Sequence, residues 1–280
     1  MNMRTGLLVA LLLALTALPA RPGGACSECF PLESLPPEAR AESERLLLMA
    51  LDNEGLYTLA GGLKAMSSLP RLFPFSVESP DLSEIERVRQ ALRAWRCHGE
   101  VRATVHHFHK VHEGKRQAGI VVFHVPRMGE VIAAKQGFFG AFGLTPSADP
   151  LEALTTIEME EQPIRLRGQG YLFSYPDYAV DWFVQADEHQ KATGEFVKRK
   201  FISLPTYARQ ERGVVWAVAE DHEERPEDRE FRERAAAILA AYRERRERYI
   251  GEGKPGAAAL IRDWYDDGNG RCSPRHVNIP

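Results

Sequence analysis

The sequence predicts an α+β fold, an antiparallel sheet built from two β-hairpins and covered by several helices. Two observations carry this. Paired apolar, β-branched runs at residues 104–125 and 196–219 are each interrupted by a polar, turn-rich segment. Around them lie longer segments whose apolar residues recur every three or four positions and which open on proline or an acidic residue. Hairpins separated by helices favour antiparallel pairing over βαβ crossovers.

The elements follow in chain order. Pro36-Pro37 opens a first helix, because the first turn tolerates proline. Glu38 to Leu51 carries it, with Leu47, Leu48 and Leu51 facing the core, and Asp52-Asn53-Glu54-Gly55 ends it. LYTLAGGLKAMSS, residues 56–68, predicts no regular element, since Gly61-Gly62 weakens either type. Ser79-Pro80-Asp81 starts a second helix, with Leu82, Ile85, Val88, Leu92 and Trp95 as one stripe. TVHHFHKVHEGKRQAGIVVFHV, Thr104 to Val125, reads as a hairpin turning at His112-Glu113-Gly114-Lys115.

Met128 to Phe142 is helical by pattern, with three glycines weakening its second half. Asp149-Pro150 opens a short helix to about Glu158, and Pro176-Asp177 a longer one to about Thr193. Phe196 to Ser203 and Val214 to Ala219 form the second strand pair. Pro226 opens the last long helix. Acids fill its first turn and Arg243, Arg245, Arg246 and Arg248 its last turns, the order the helix dipole favours. Ala257 to Tyr265 forms a final short helix.

Domain organisation follows from the N-terminus. Residues 1–25 read as a signal peptide. Arg4 precedes an apolar run, Leu7 to Ala17, too short for the roughly 20 residues of a membrane span, and small residues Ala20 and Ala25 offer cleavage points. Residues 26–36 read as a Pro/Gly-rich leader, and 37–280 as a single globular domain. No later run is long enough to span a bilayer. The expected location is extracytoplasmic, in the periplasm or cell envelope or secreted. GGAC, ending at Cys26, resembles the bacterial lipobox, which would make Cys26 a lipid anchor and the chain a lipoprotein; Gly23 stands where that pattern usually has leucine.

The four cysteines follow the same fork. An exported chain favours disulfides. With Cys26 lipidated, one bridge is expected, Cys97–Cys272; with Cys26 free, two bridges form in one of three connectivities. Cys26-Ser-Glu-Cys29 has redox-motif spacing but lacks the flanking strand and helix of such motifs. The formal net charge of -3 supports no nucleic-acid partner. P-loop, dinucleotide-binding, nucleophile-elbow and HExxH motifs are absent.

The hairpin holds five of the nine histidines. Strand parity puts His107 and His109 on one face and His106 on the other. Such an H-x-H pair with His124 as third ligand would bind zinc and leave a position for an activated water. Register decides. A two-residue turn puts His107 opposite Ile120, with His124 four residues further along at about 3.4 Å each; a longer loop would put His124 opposite His107. The plainer reading is packed or exposed strand histidines.

Three other stretches invite comparable readings. Asp177, Asp181, Gln185 and Glu188 make a polar helix stripe, Asp266-Asp267-Gly268-Asn269-Gly270 looks like part of a calcium loop, and YLFSYPDYAVDWF, residues 171–183, has the aromatics to line a ligand groove; the plainer readings are a solvated helix face, a Gly-rich turn, since Tyr265 and Pro274 break the EF-hand pattern, and core aromatics. The sequence is therefore read as an exported bacterial envelope protein that acts as a binding or interaction module of unknown partner. The alternative is a metal-dependent hydrolase or lyase using His107 and His109, completed by His124 or a carboxylate.

Overall fold

Seven consecutive residues, Ala118 to His124, are all buried, so the strand that carries them has no solvent face. The computed structural model describes residues 26–211, 213–268 and 271–273. The expected signal segment lies outside them. In chain order the elements are α1 (Pro37–Asp52), α2 (Leu56–Leu59), β1 (Met66–Ser76), α3 (Ser83–Leu92), β2 (Val101–His112), β3 (Lys115–His124), α4 (Val125–Ala134), α5 (Gln136–Phe139), α6 (Pro150–Glu158), α7 (Gln162–Leu172), α8 (Asp177–Thr193), β4 (Arg199–Leu204), β5 (Val214–Ala219), α9 (Pro226–Tyr249) and α10 (Ala257–Tyr265). The fold is α+β, with one antiparallel sheet ordered β1-β3-β2 and a separate antiparallel pair β4-β5. Among the described residues no helix is long and apolar enough to cross a membrane.

The central strand β3 divides the core. Ala118, Ile120 and Val122 join Val101 and Val105 against Leu47, Trp95, Tyr242 and Trp264. Val121 and Phe123 point the other way, onto Met128, Ile132, Leu154, Ile157 and Leu172. The run IVVF is thus apolar at every position because both faces are covered. The small sheet β4-β5 contributes Ile202, Leu204, Val214 and Trp216 to the first cluster.

Strand β1 was not legible in the sequence. It contains Pro70 and Pro74, and its pairing with β3 shifts register between Ser68 and Leu72. Proline is confined to edge strands and irregular pairing because it cannot donate to a ladder, and β1 is an edge. Helix α7 was also missed, through its glycines. A Cβ at Gly168 would lie 2.5 Å from Ile157 of α6, and one at Gly170 would lie 2.7 Å from Val180 of α8. These glycines are the close-approach surface of a helix packed between two others. Helix α3 starts at Ser83, later than the expected Ser79, with Asp81 accepting from the Ser83 amide at 3.0 Å.

The segment 26–36 is not a surface linker. Phe30 is 0% exposed, and Cys29, Leu32 and Leu35 are buried with it. Phe30 donates its amide to Arg96 O at 3.0 Å. Arg262 of α10 reaches over the segment, donating to Cys29 O at 2.9 Å, Phe30 O at 2.6 Å and both carboxylate oxygens of Glu33. The disulfides complete the attachment and correct the expected Cys97–Cys272 pairing: the bonds are Cys26–Cys272 and Cys29–Cys97. A sulfur bonded to Cys272 is not available for a lipid thioether, so the lipobox reading of Cys26 is incompatible with this arrangement. The loops span 246 and 68 residues, and in the chain-entropy description closing them restricts the unfolded chain by about 5 and about 4 kcal/mol.

Phe30 therefore tests whether this segment belongs to the domain. Phe30→Ala is expected to cost about 3–5 kcal/mol in urea unfolding, the range for a buried aromatic; a linker residue would cost nothing measurable.

Candidate functional site

The structure separates the three histidines expected to hold zinc. Beyond the tip, where His112 pairs with Lys115, β2 shifts register between His107 and Val111, so His107 lies opposite Ala118. His124 pairs with Val101, six β3 residues further along, or about 20 Å. The irregularity also splits the H-x-H pair. The His107 ring meets Phe75 edge-on at 5.9 Å between centroids, whereas the His109 ring reaches Met159 Sδ, just past α6, at 3.4 Å. Burial, helped by Arg89, His106 and Arg116, lowers the His107 pKa. His124 caps α4, its Nδ1 accepting from the Arg127 amide at 3.2 Å, with its ring pressed against Gly62.

His106 and the end of α6 explain a second part of the stretch. His106 is buried beside buried Glu158 at 3.8 Å. Glu158 accepts from the His109 amide at 2.7 Å and from Gln169 Nε2 at 2.5 Å. Burial alone would raise the Glu158 pKa, but these contacts with His106 and the His109 amide hold it below the usual carboxylate value. This is a buried polar joint between β2, α6 and α7.

The site the fold does build lies between α7, α8 and the β4-β5 pair. It is a groove of about 270 Å³ walled by Phe173, Tyr175, Phe183, Phe201 and Trp216, with Gly170 at its floor. None of its described lining residues is charged. Ser174, with φ of 59°, turns the chain so that Phe173 and Tyr175 stack at 5.7 Å and 18°; its Oγ accepts from the Ala65 amide at 2.9 Å. Tyr175 continues to Trp216 at 5.9 Å, and Trp216 meets Phe231 of α9 at 5.5 Å. Phe201 is 61% exposed and forms the outer lip. The 171–183 stretch thus supplies one wall of the groove, while Phe201 and Trp216 come from β4 and β5, whose faces the sequence left unassigned.

Behind the rings sits Lys64, 0% exposed. Its Nζ lies 5.0 Å from the Phe173 centroid and 5.2 Å from that of Tyr175, and it pairs with Glu54. Burial lowers the lysine's pKa, and the Glu54 carboxylate opposes that shift. The sequence placed Asp52 and Glu54 in the turn after the first helix but offered no sign that Lys64 is internal.

Of the remaining acidic candidates, Glu188 is exposed and the aspartates have structural partners. Asp177 pairs with Lys135 and Asp181 with Arg167. Asp266 and Asp267 accept from the amides of Gly268 and Arg271, closing a turn; Asn269 and Gly270 of the calcium-like stretch lie outside the described residues. Asp228, fully buried, caps α9. It accepts from Tyr178 Oη, from the Arg225 amide at 3.0 Å and from His222 Nε2 at 3.0 Å. Burial works to raise its pKa, but these donors outweigh it and hold the carboxyl below its ordinary value. Among the described residues one group gathers metal-ligating atoms: Cys29, Cys97, His98 and Cys272. No protein family, no curated protein and no solved structure matches this chain.

Two outcomes follow. Glu54→Gln leaves an uncompensated internal ammonium and is expected to cost about 3–5 kcal/mol, whereas Lys64→Met combined with Glu54→Gln restores most of that loss; equal destabilisation by the single and double variants in urea titration would refute the pairing. For Asp228 the folded pKa is depressed. Its contribution is present above the ordinary value of 3.8 and lost as pH falls through the lower folded value. Asp228→Asn is expected to lower the urea midpoint at pH 6 and to narrow the gap from the parent protein as pH drops toward 2.

Proposed function

We propose that this is an exported binding module whose ligand is a small, uncharged, apolar or aromatic molecule held in the groove between α7, α8 and β4-β5. The observation that carries the reading is the groove's composition: five aromatic walls, no charged lining residue and an exposed aromatic lip. Ligand sites are concave, mostly apolar and few per protein. At about 270 Å³ the space matches a molecule of one or two rings. An ionised ligand would lose its hydration there without a counter-charge. Two disulfides fit a compartment outside the reducing cytoplasm. The apolar N-terminal run supports export.

6-Propionyl-2-dimethylaminonaphthalene, a neutral two-ring probe whose emission strengthens and shifts to the blue in apolar surroundings, tests this. Its emission is expected to rise saturably on titration with the protein. Phe183→Ala and Phe201→Ala are expected to weaken binding about tenfold each, the equivalent of roughly 1.4 kcal/mol of lost apolar contact. No enhancement with the parent protein, or binding by both variants as tight as the parent's, sinks the reading.

A further inference from the structure

The two disulfides meet. Sγ atoms of Cys29, Cys97 and Cys272 and a ring nitrogen of His98 all lie within 4.8 Å of one another, although the sulfurs belong to two different bonds. We propose that this cluster, when its disulfides are reduced, is a zinc site with Cys29, Cys97, Cys272 and His98 as its four ligands.

Three features support the assignment. The ligand count and type are those of a closed Cys₃His zinc site, in which thiolates sit at about 2.3 Å and imidazole at about 2.0 Å from the metal in a tetrahedron. The three cysteines are buried while His98 is exposed, so the sulfurs are fixed by the core and the imidazole closes the site from outside. The third feature is a carboxylate placed behind the ligands. Glu28 Oε1 lies 3.7 Å from His98 Nε2 and accepts the Cys272 amide at 3.2 Å. A carboxylate on the outer nitrogen of an imidazole, leaving Nδ1 for the metal, is the usual support of a zinc-ligating histidine.

The chemistry balances. Each disulfide takes two electrons and two protons from a dithiol reductant, which is itself oxidised to a disulfide, so two reductant molecules yield four cysteine thiols. Zinc then displaces the protons of Cys29, Cys97 and Cys272 and coordinates neutral His98, and Cys26 stays a thiol. A disulfide oxidant reverses the sequence: each protein disulfide forms as one oxidant disulfide is reduced to its dithiol, protons from water replace those that zinc had displaced, and the metal is released. The chain meets reducing conditions where it is synthesised and oxidising ones after export, so metal and disulfides would follow one another on the same atoms. The proposal is independent of the groove.

Cobalt(II) titration of the full chain, with and without prior reduction by a dithiol under argon, tests it. The reduced protein is expected to bind one cobalt per chain, with a thiolate charge-transfer band in the near ultraviolet and tetrahedral bands near 700 nm, both abolished by one equivalent of zinc. The oxidised protein is expected to show neither. Cys26→Ser should titrate like the parent once reduced, His98→Ala should change the visible bands, and Glu28→Gln should weaken zinc binding roughly tenfold to a hundredfold. Absence of the charge-transfer band in the reduced parent overturns the proposal, as does its loss in Cys26→Ser. Because the reading is metal binding itself, a reduced chain that unfolds and shows no band also counts against it.

Discussion

A strand buried on both faces dictates the layout. Ala118 to His124 cannot be left facing water on either side, so the chain must supply two apolar layers. The first comes from α1, α3, α9 and α10, drawn from the two ends of the sequence; the second comes from α4 to α7, one continuous stretch. Placing β3 between two edge strands satisfies its backbone groups, and the prolines of β1 then mark where the ladder stops.

Where apolar contact between neighbouring elements runs out, buried or half-buried carboxylates make the joints. Asp52, at the end of α1, takes a bidentate hydrogen bond from Arg246 of α9 at 2.7 and 3.1 Å and another from Tyr242 at 2.7 Å. Glu44 accepts from the Ala257 amide at 2.9 Å and so caps α10. Glu158 joins β2 to α7, and Asp228 joins α8 to α9. The arginines crowded at the end of α9 complement its dipole, and Arg246 also fixes the helix to α1. Each joint places a charge where one helix ends on another, and the partners leave few alternative registers.

Local signals carried most of the helices. Proline with an acid marked the starts of α6, α8 and α9, and α10 runs from Ala257 to Tyr265 as its pattern indicated. Both strand pairs were visible as apolar, β-branched runs broken by a polar turn. What local signals missed depended on distant partners. Gly168 and Gly170 look like helix breakers until Ile157 and Val180 are placed against them. The leader looked like a linker because Phe30 and Leu32 are too few to show periodicity, and their burial depends on Arg262, more than 200 residues away. The histidine site failed on register, which a tip sequence does not determine when an irregularity sits inside the strand. The aromatic groove was half legible. Residues 171–183 showed the aromatics, for which core packing was the plainer reading; the opposite wall came from strands and the lysine behind it from a segment with no regular pattern.

The Cys26–Cys272 bond joins positions 246 residues apart and makes nearly all of the domain a covalent macrocycle. A protease that cuts any one peptide bond between those cysteines opens the ring and releases nothing. The nicked molecule keeps its mass and all its residues, and its two pieces remain tethered while the cut is exposed. For a chain in a compartment rich in proteases, a first cleavage is then a change of topology, and degradation begins only with the second.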